Sequence, residues 1–174
     1  MRKTTSMATR ESTINLILNT IPKDALVVAC NGKLGRELWE LRRDRGESPD
    51  DFIMVGSMGC ALPIAMGLAM NTKKKVYCLL GDGNLLMKLG AIATMKKLDL
   101  KNLIVYVLNN DAHASTGGQA TAFSHIYGRL PITTNFRVVQ VGTEARKDLG
   151  RPTITPGEIT RNFMEKIHTE TETL

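Results

Sequence analysis

The chain has 174 residues, 43% hydrophobic and 23% charged. That composition suits one domain with a buried core and excludes a disordered tail. No apolar run approaches the roughly 20 residues of a membrane-spanning helix, so no membrane role is expected. Lysine and arginine exceed aspartate and glutamate by 23 − 17 = 6, which suits anionic ligands or an acidic partner as well as a solvated surface. Aromatics are only 5% and no basic stretch is interleaved with stacking residues, so a nucleic-acid surface is not expected. Cys30, Cys60 and Cys78 sit in apolar segments at wide spacing. They read as small buried hydrophobes, not a disulfide framework or zinc site, and fit a reducing cytoplasm.

Residues 1–10 are basic, free of acid and without a secretory apolar stretch, so a disordered basic tail is expected there, with residues 11–174 a single domain. Residues 11–20 carry apolar side chains at helical spacing. Ala25–Ala29 reads as a buried strand. Lys33–Arg43 reads as a helix with Leu34, Leu38 and Leu41 on one face, and Arg45–Asp51 as a polar loop. Phe52–Val55 is an expected strand, and Cys60–Met70 an expected helix buried on most sides. Val76–Leu80 predicts a strand, Leu85–Lys97 a helix and Leu103–Leu108 another strand. Asp111–Arg129 is a long Gly-, Ser- and Thr-rich loop, a length usually reserved for function or disorder. Phe136–Val141 predicts a late strand. Thr155, Pro156 and Glu158 form a capping box that opens a last helix ending near Ile167. Lys73–Lys75 read as surface cations, and Arg36 as a surface arginine with a contact to substrate or partner as the alternative. The β-α-β-α-β order with continuous apolar strands predicts an α/β fold, a doubly wound parallel sheet flanked by helices.

Two motifs carry the chemistry. Gly81-Asp82-Gly83-Asn84 follows one strand and Asn109-Asn110 follows the next, with residues 84–108 between Gly83 and Asn109. That gap holds one helix and one strand, so the two strands are expected to be parallel neighbours about 4.8 Å apart. Both motifs then emerge at the carboxyl edge of the sheet, where doubly wound folds bind ligands. Mg²⁺ takes oxygen ligands, few of them from protein and the rest from phosphate and water. Asp82 offers a carboxylate, and Asn109 or Asn110 an amide oxygen. Gly81 and Gly83 permit a tight turn close to phosphate oxygens, and a helix beginning near Asn84 would aim free N–H groups at the anion.

This pair of motifs resembles the cofactor motif of thiamine-diphosphate enzymes, in their diphosphate-binding domain. The resemblance implies that Asp82 and the Asn110 side chain ligate Mg²⁺, with the Ala112 carbonyl as third protein ligand and Asn109 supporting the turn. Gly56-Ser57-Met58-Gly59 resembles the segment that holds the aminopyrimidine ring. It implies Met58 as the wedge that bends the cofactor, with the Gly56 carbonyl and Met58 N–H bonding the ring. Most methionines are simply core.

The stretches GKLGRELWELRRDRGE, DFIMVGSMG, LLGDGNLLMKLGAIATM, VLNNDAHASTGGQATAF and DLGRPTITPGE look most like the C-terminal half of phosphonopyruvate decarboxylases. Sulfopyruvate decarboxylase β subunits are similar. The resemblance implies that Ser115, Thr116, Gly117, Gly118 and Gln119 receive a phosphonate or sulfonate. His113, three residues past Asn110, is a candidate proton relay or a structural histidine. The implied activity is decarboxylation of 3-phosphonopyruvate to phosphonoacetaldehyde, with sulfopyruvate as the alternative substrate. A non-catalytic, cofactor-binding or regulatory subunit is the third reading. Nothing in the chain matches a pyrimidine-binding domain. An α-type partner subunit is therefore implied, supplying the glutamate that activates thiamine, in a hetero-oligomer. The stretch from Phe123 to Asp148 is shorter than in full-length relatives, which implies a reduced helix–strand unit. Asp111 stands where relatives often have glycine.

Overall fold

The computed structural model describes residues 7–169. In chain order these form α1 (Arg10–Leu18), β1 (Leu26–Ala29), α2 (Lys33–Asp44), β2 (Phe52–Ile53), α3 (Ala61–Asn71), β3 (Val76–Gly81), α4 (Asp82–Met87), α5 (Ala91–Leu98), β4 (Leu103–Asn109), β5 (Phe136–Gln140) and α6 (Pro156–His168). The strands make one sheet in the order β2-β1-β3-β4-β5, and every pair is parallel. The doubly wound α/β sheet is therefore present. All of β1 and β4 is buried, as apolar runs without alternation require. The chain steps from β1 outward to β2 and then back past β1 to β3, so the strand order reverses at β1 and opens a crevice there.

Several expected elements differ in the structure. β2 stops at Ile53 instead of Val55. Met54 N–H still donates to the Ala29 carbonyl at 2.9 Å, but the chain then turns through Gly56 and leaves Val55 63% exposed. α3 is buried on most sides, as expected: Ala61, Leu62, Ala65, Met66 and Ala69 face the core, Ile64 and Leu68 pack against it, and Gly67 and Met70 face solvent. The helix expected over Leu85–Lys97 begins at Asp82 and breaks at Lys88-Leu89-Gly90 into α4 and α5. Gly90 is a poor helix former, and the Gly59 backbone sits against Met87 and Lys88 at that point. The long loop is partly structured. Ala112 and Ala120 form an antiparallel bridge, and 3-10 turns at Phe123–His125 and Tyr127–Arg129 bury Phe123 completely. No α-helix lies between β4 and β5.

The ends are tied down more firmly than the sequence suggests. The expected tail over residues 1–6 lies outside the described residues, but Thr9 and Arg10 belong to the fold. Thr9 caps α1 by accepting from Ser12 N–H at 3.1 Å, and the Ala8 carbonyl accepts from Gly142 N–H at 2.9 Å. Arg10 donates to Glu37 on α2 from Nε at 2.5 Å and Nη2 at 2.7 Å, with only 5% and 1% of the two residues exposed. Burial pushes the Glu37 carboxyl up from its ordinary range, and the Arg10 hydrogen bond and charge oppose that shift. α6 opens with the expected capping box and covers the β2 edge, where Phe163 packs on Phe52 with ring centroids 5.3 Å apart. Lys74 is not a free surface cation: its ammonium caps α6 by donating to the Lys166 and Thr169 carbonyls, both at 2.6 Å.

Arg10→Ala would leave a buried carboxylate without its cation. It is expected to cost about 3 kcal/mol of unfolding free energy, read by urea titration. The Arg10→Met/Glu37→Leu double variant is expected to recover most of that loss, and a double variant as unstable as the single one would contradict this account of the contact.

Candidate functional site

The register of the buried ladders brings the two motifs together. Ala29 pairs with Leu79, and Gly81 pairs with Leu108. The residues just past β1, β3 and β4 therefore finish at one edge of the sheet. They line a cleft of about 150 Å³. Asp82, Gly83 and Asn84 reach it from α4, Asn110, Ala112 and His113 from the turn after β4, and Met58 from the turn after β2.

Asp82 is 2% exposed. Its Oδ2 accepts from the Thr121 hydroxyl at 2.6 Å, and no basic side chain among the described residues pairs with it. A buried carboxylate held by one neutral donor fits a cation site. No cluster of three His, Cys, Asp or Glu occurs among the described residues, so further ligands here would be neutral oxygens, phosphate or water. That donor chemistry suits Mg²⁺. The Asn110 side-chain oxygen accepts from Ala112 N–H at 3.3 Å, and the Ala112 carbonyl accepts from Ala114 N–H at 2.9 Å. Asn109 works differently: it is buried, and its amide donates to Gln140 at 2.7 Å and to Asp111 at 3.2 Å. It braces the turn. Asp111 is left-handed, with φ +52, and Gln140 Nε2 donates to its carboxylate at 3.1 Å. A residue of this type tolerates that conformation at modest cost, and the side-chain bonds offset it.

Gly83 is where the motifs touch. A Cβ there would stand 2.9 Å from the His113 ring and 3.2 Å from the Met58 ε-methyl group. Only glycine lets the backbone, the sulfur side chain and the imidazole meet. The Met58 turn is itself unusual, with positive φ at Gly56 (+71), Ser57 (+46) and Gly59 (+92). It is pinned by Gly59 N–H donating to the Asn84 side chain at 3.2 Å. Asn84 thus links the two motifs from below. The helix that carries it is short, six residues from Asp82.

The substrate-loop residues divide. Ser115 and Thr116 line the cleft, and Ser115 Oγ accepts from Lys33 N–H at 3.3 Å. Gly117, Gly118 and Gln119 stand exposed on the hairpin and do not line it. Ser57 is likewise exposed and outside the cleft, as is Gly56. Sequence reasoning missed Thr121, Gln140 and Asn31, because only the folded hairpin and the β4–β5 pairing bring the first two to the site. Asn31 follows β1 and lines the cleft, and its Oδ1 is the buried side-chain oxygen that lacks a partner among the described residues. An orphaned acceptor there fits a cleft meant to hold a polar group. Cys30 also lines the cleft, but burial pushes its thiol up to about 12, so it is inert as a nucleophile.

Residues 31–154 match the family described as thiamine pyrophosphate enzyme, C-terminal TPP binding domain. The chain belongs to that family. It is 33% identical to a phosphonopyruvate decarboxylase of Streptomyces viridochromogenes over 89% of this chain and 45% of that relative. It is 41% identical to a sulfopyruvate decarboxylase subunit beta of Methanothermobacter thermautotrophicus over 68% of this chain and 62% of that one. An acetolactate synthase isozyme 1 large subunit of Escherichia coli is 28% identical over 63% of this chain. The chain spans about half the length of the Streptomyces relatives it matches. No helix among the described residues is long and apolar enough to cross a membrane.

Gly83→Ala is expected to leave the melting temperature within a few degrees, since alanine suits a helix interior. It should shift the Met58 methyl and His113 ring NMR signals and abolish binding of thiamine diphosphate. Unchanged signals would show that the close approach is not real.

Proposed function

We propose that this chain is the diphosphate-binding part of a thiamine-diphosphate-dependent decarboxylase, acting on 3-phosphonopyruvate to release CO₂ and phosphonoacetaldehyde. The observation that carries this reading is the meeting of Asp82, Asn110, Met58 and His113 around Gly83 in one cleft. Asp82, the Asn110 amide and the Ala112 carbonyl would hold Mg²⁺. Gly81, Gly83 and Asn84 would let the diphosphate approach the backbone. Gly56 and Met58 would hold the pyrimidine ring, with Ser57 shaping the turn, and Met58 would wedge the cofactor into its bent form. Bound thiamine diphosphate supplies the electron sink that decarboxylation of a 2-keto acid needs. His113 would deliver or remove the proton at the reacting carbon, and its ring has no side-chain partner among the described residues to compete with that role. Ser115, Thr116 and the Gly117–Gln119 hairpin would border the substrate.

The activating glutamate would come from a pyrimidine-binding α-type partner. Exposed apolar side chains support a covering subunit, since Val55 and Met87 flank the Met58 turn at 63% and 58% exposure. Sulfopyruvate is the second reading, supported by the higher identity to beta subunits of that enzyme.

Asp82→Ala is expected to keep the fold and lose Mg²⁺-dependent thiamine diphosphate binding, measured by calorimetry on the complex with its partner. Undiminished binding and turnover in that variant would sink the assignment. Comparing turnover of phosphonopyruvate and sulfopyruvate by the wild-type complex assigns the substrate.

A further inference from the structure

A second cavity, of about 470 Å³, opens beside the cofactor cleft. Asn31, Gly32 and Ser115 border both. Its walls are the end of β2, the first turns of α2 and α6, and the segment before α6. About half of that lining is isoleucine, methionine, valine and proline, and no carboxylate faces it. Two side chains bring charge, Arg36 from α2 and Arg151 from the segment before α6.

Neither arginine has an ion pair or side-chain hydrogen bond among the described residues. Arg10, Arg42, Arg43, Arg45, Arg137 and Arg146 are all engaged. Arg129 and Arg161 also lack partners but line neither cavity; within the proposed pair Arg36 is half-buried and Arg151 exposed at the rim. Arg36 is also placed against the local field. The first turn of α2 holds Lys33 and Arg36 with no acidic residue, and no side chain caps it. Cations at the positive end of a helix are unfavourable unless an anion balances them. Glu37, the next residue, feels the Lys33 charge but is committed to Arg10, and no described carboxylate pairs with Arg36.

We propose that this cavity receives the tetrahedral oxyanion tail of the substrate, a phosphonate or sulfonate, with Arg36 and Arg151 as its specificity-determining residues. Guanidinium forks match such an anion, and the apolar walls around half-buried Arg36 lower the local dielectric and strengthen its contact. Ser115 stands at the passage between tail and cofactor. This inference rests on the keto-acid reading above and deepens it. The same oxyanion chemistry also belongs to the cofactor's diphosphate, so the test must separate the two sources.

The experiment is an NMR titration of the full chain with methylphosphonate and methanesulfonate, observing the arginine Nε–H signals, with and without saturating Mg²⁺ pyrophosphate. The expected result is a shift at Arg36 and Arg151 that persists when pyrophosphate fills the Asp82 cleft. Arg36→Gln and Arg151→Gln should each weaken binding by about tenfold. Loss of the shifts on adding pyrophosphate would overturn the proposal, because the cavity would then belong to the diphosphate. So would the absence of any shift at either arginine. If pyrophosphate itself does not perturb the Asp82 and Gly83 amides while methylphosphonate still moves both arginines, the receptor stands and the cofactor reading fails.

Discussion

The site depends on the register of three buried parallel strands. β1, β3 and β4 lie with both faces in the core, and their ladders align Ala29 with Leu79 and Gly81 with Leu108. A slip of one residue would reverse every side chain on a strand. In this sheet it would also shift Asn31, Asp82 and Asn110 relative to one another by a residue's rise. The hydrophobic core therefore does more than stabilise the domain. It sets the level at which three separate turns end, and so the distance between a carboxylate, an amide and a backbone carbonyl.

Around that edge the chain accepts local strain. Ser57 and Asp111 both have positive φ without being glycine, and each lies in a turn that presents candidate groups to the cleft. Such conformations persist only where neighbours hold them. Asp111 is held by Asn109 and Gln140. The Met58 turn is held by Asn84. Gly83 completes the arrangement by omission, since any side chain there would occupy the space that Met58 and His113 share.

Charge is distributed with equal economy. The buried pairs Arg10–Glu37 and Arg42–Asp51 anchor α1 and the loop before β2 to α2. In both, burial pushes the carboxyl up and the arginine opposes it. Arg146 ties the segment after β5 to α2 through Asp44. Against this background, a buried Asp82 without a cation and two arginines without anions stand out. They face adjoining spaces and carry opposite signs. The fold thus leaves room for a bound cation in one and a bound anion in the other.

Much of this was legible in the sequence. Continuous apolar runs predicted the parallel strands, because a strand buried on both faces has no polar alternation. The spacing of Gly81-Asp82-Gly83-Asn84 and Asn109-Asn110 predicted their convergence, because one helix and one strand must fit between neighbouring parallel strands. The capping box at Thr155 named the start of α6, because its hydrogen bonds are local. The break in the helix after Met87 was not legible, since it answers to the Gly59 backbone packed across from it. Nor was the role of Lys74, which caps a helix end more than ninety residues away in the chain. Thr121 on Asp82, Gln140 on Asp111 and the pairing of Arg36 with Arg151 in one cavity came from tertiary structure alone. Local pattern determines which elements form and where motifs sit along them. Contacts between distant segments depend on packing and charge in three dimensions, and no periodicity or spacing encodes them.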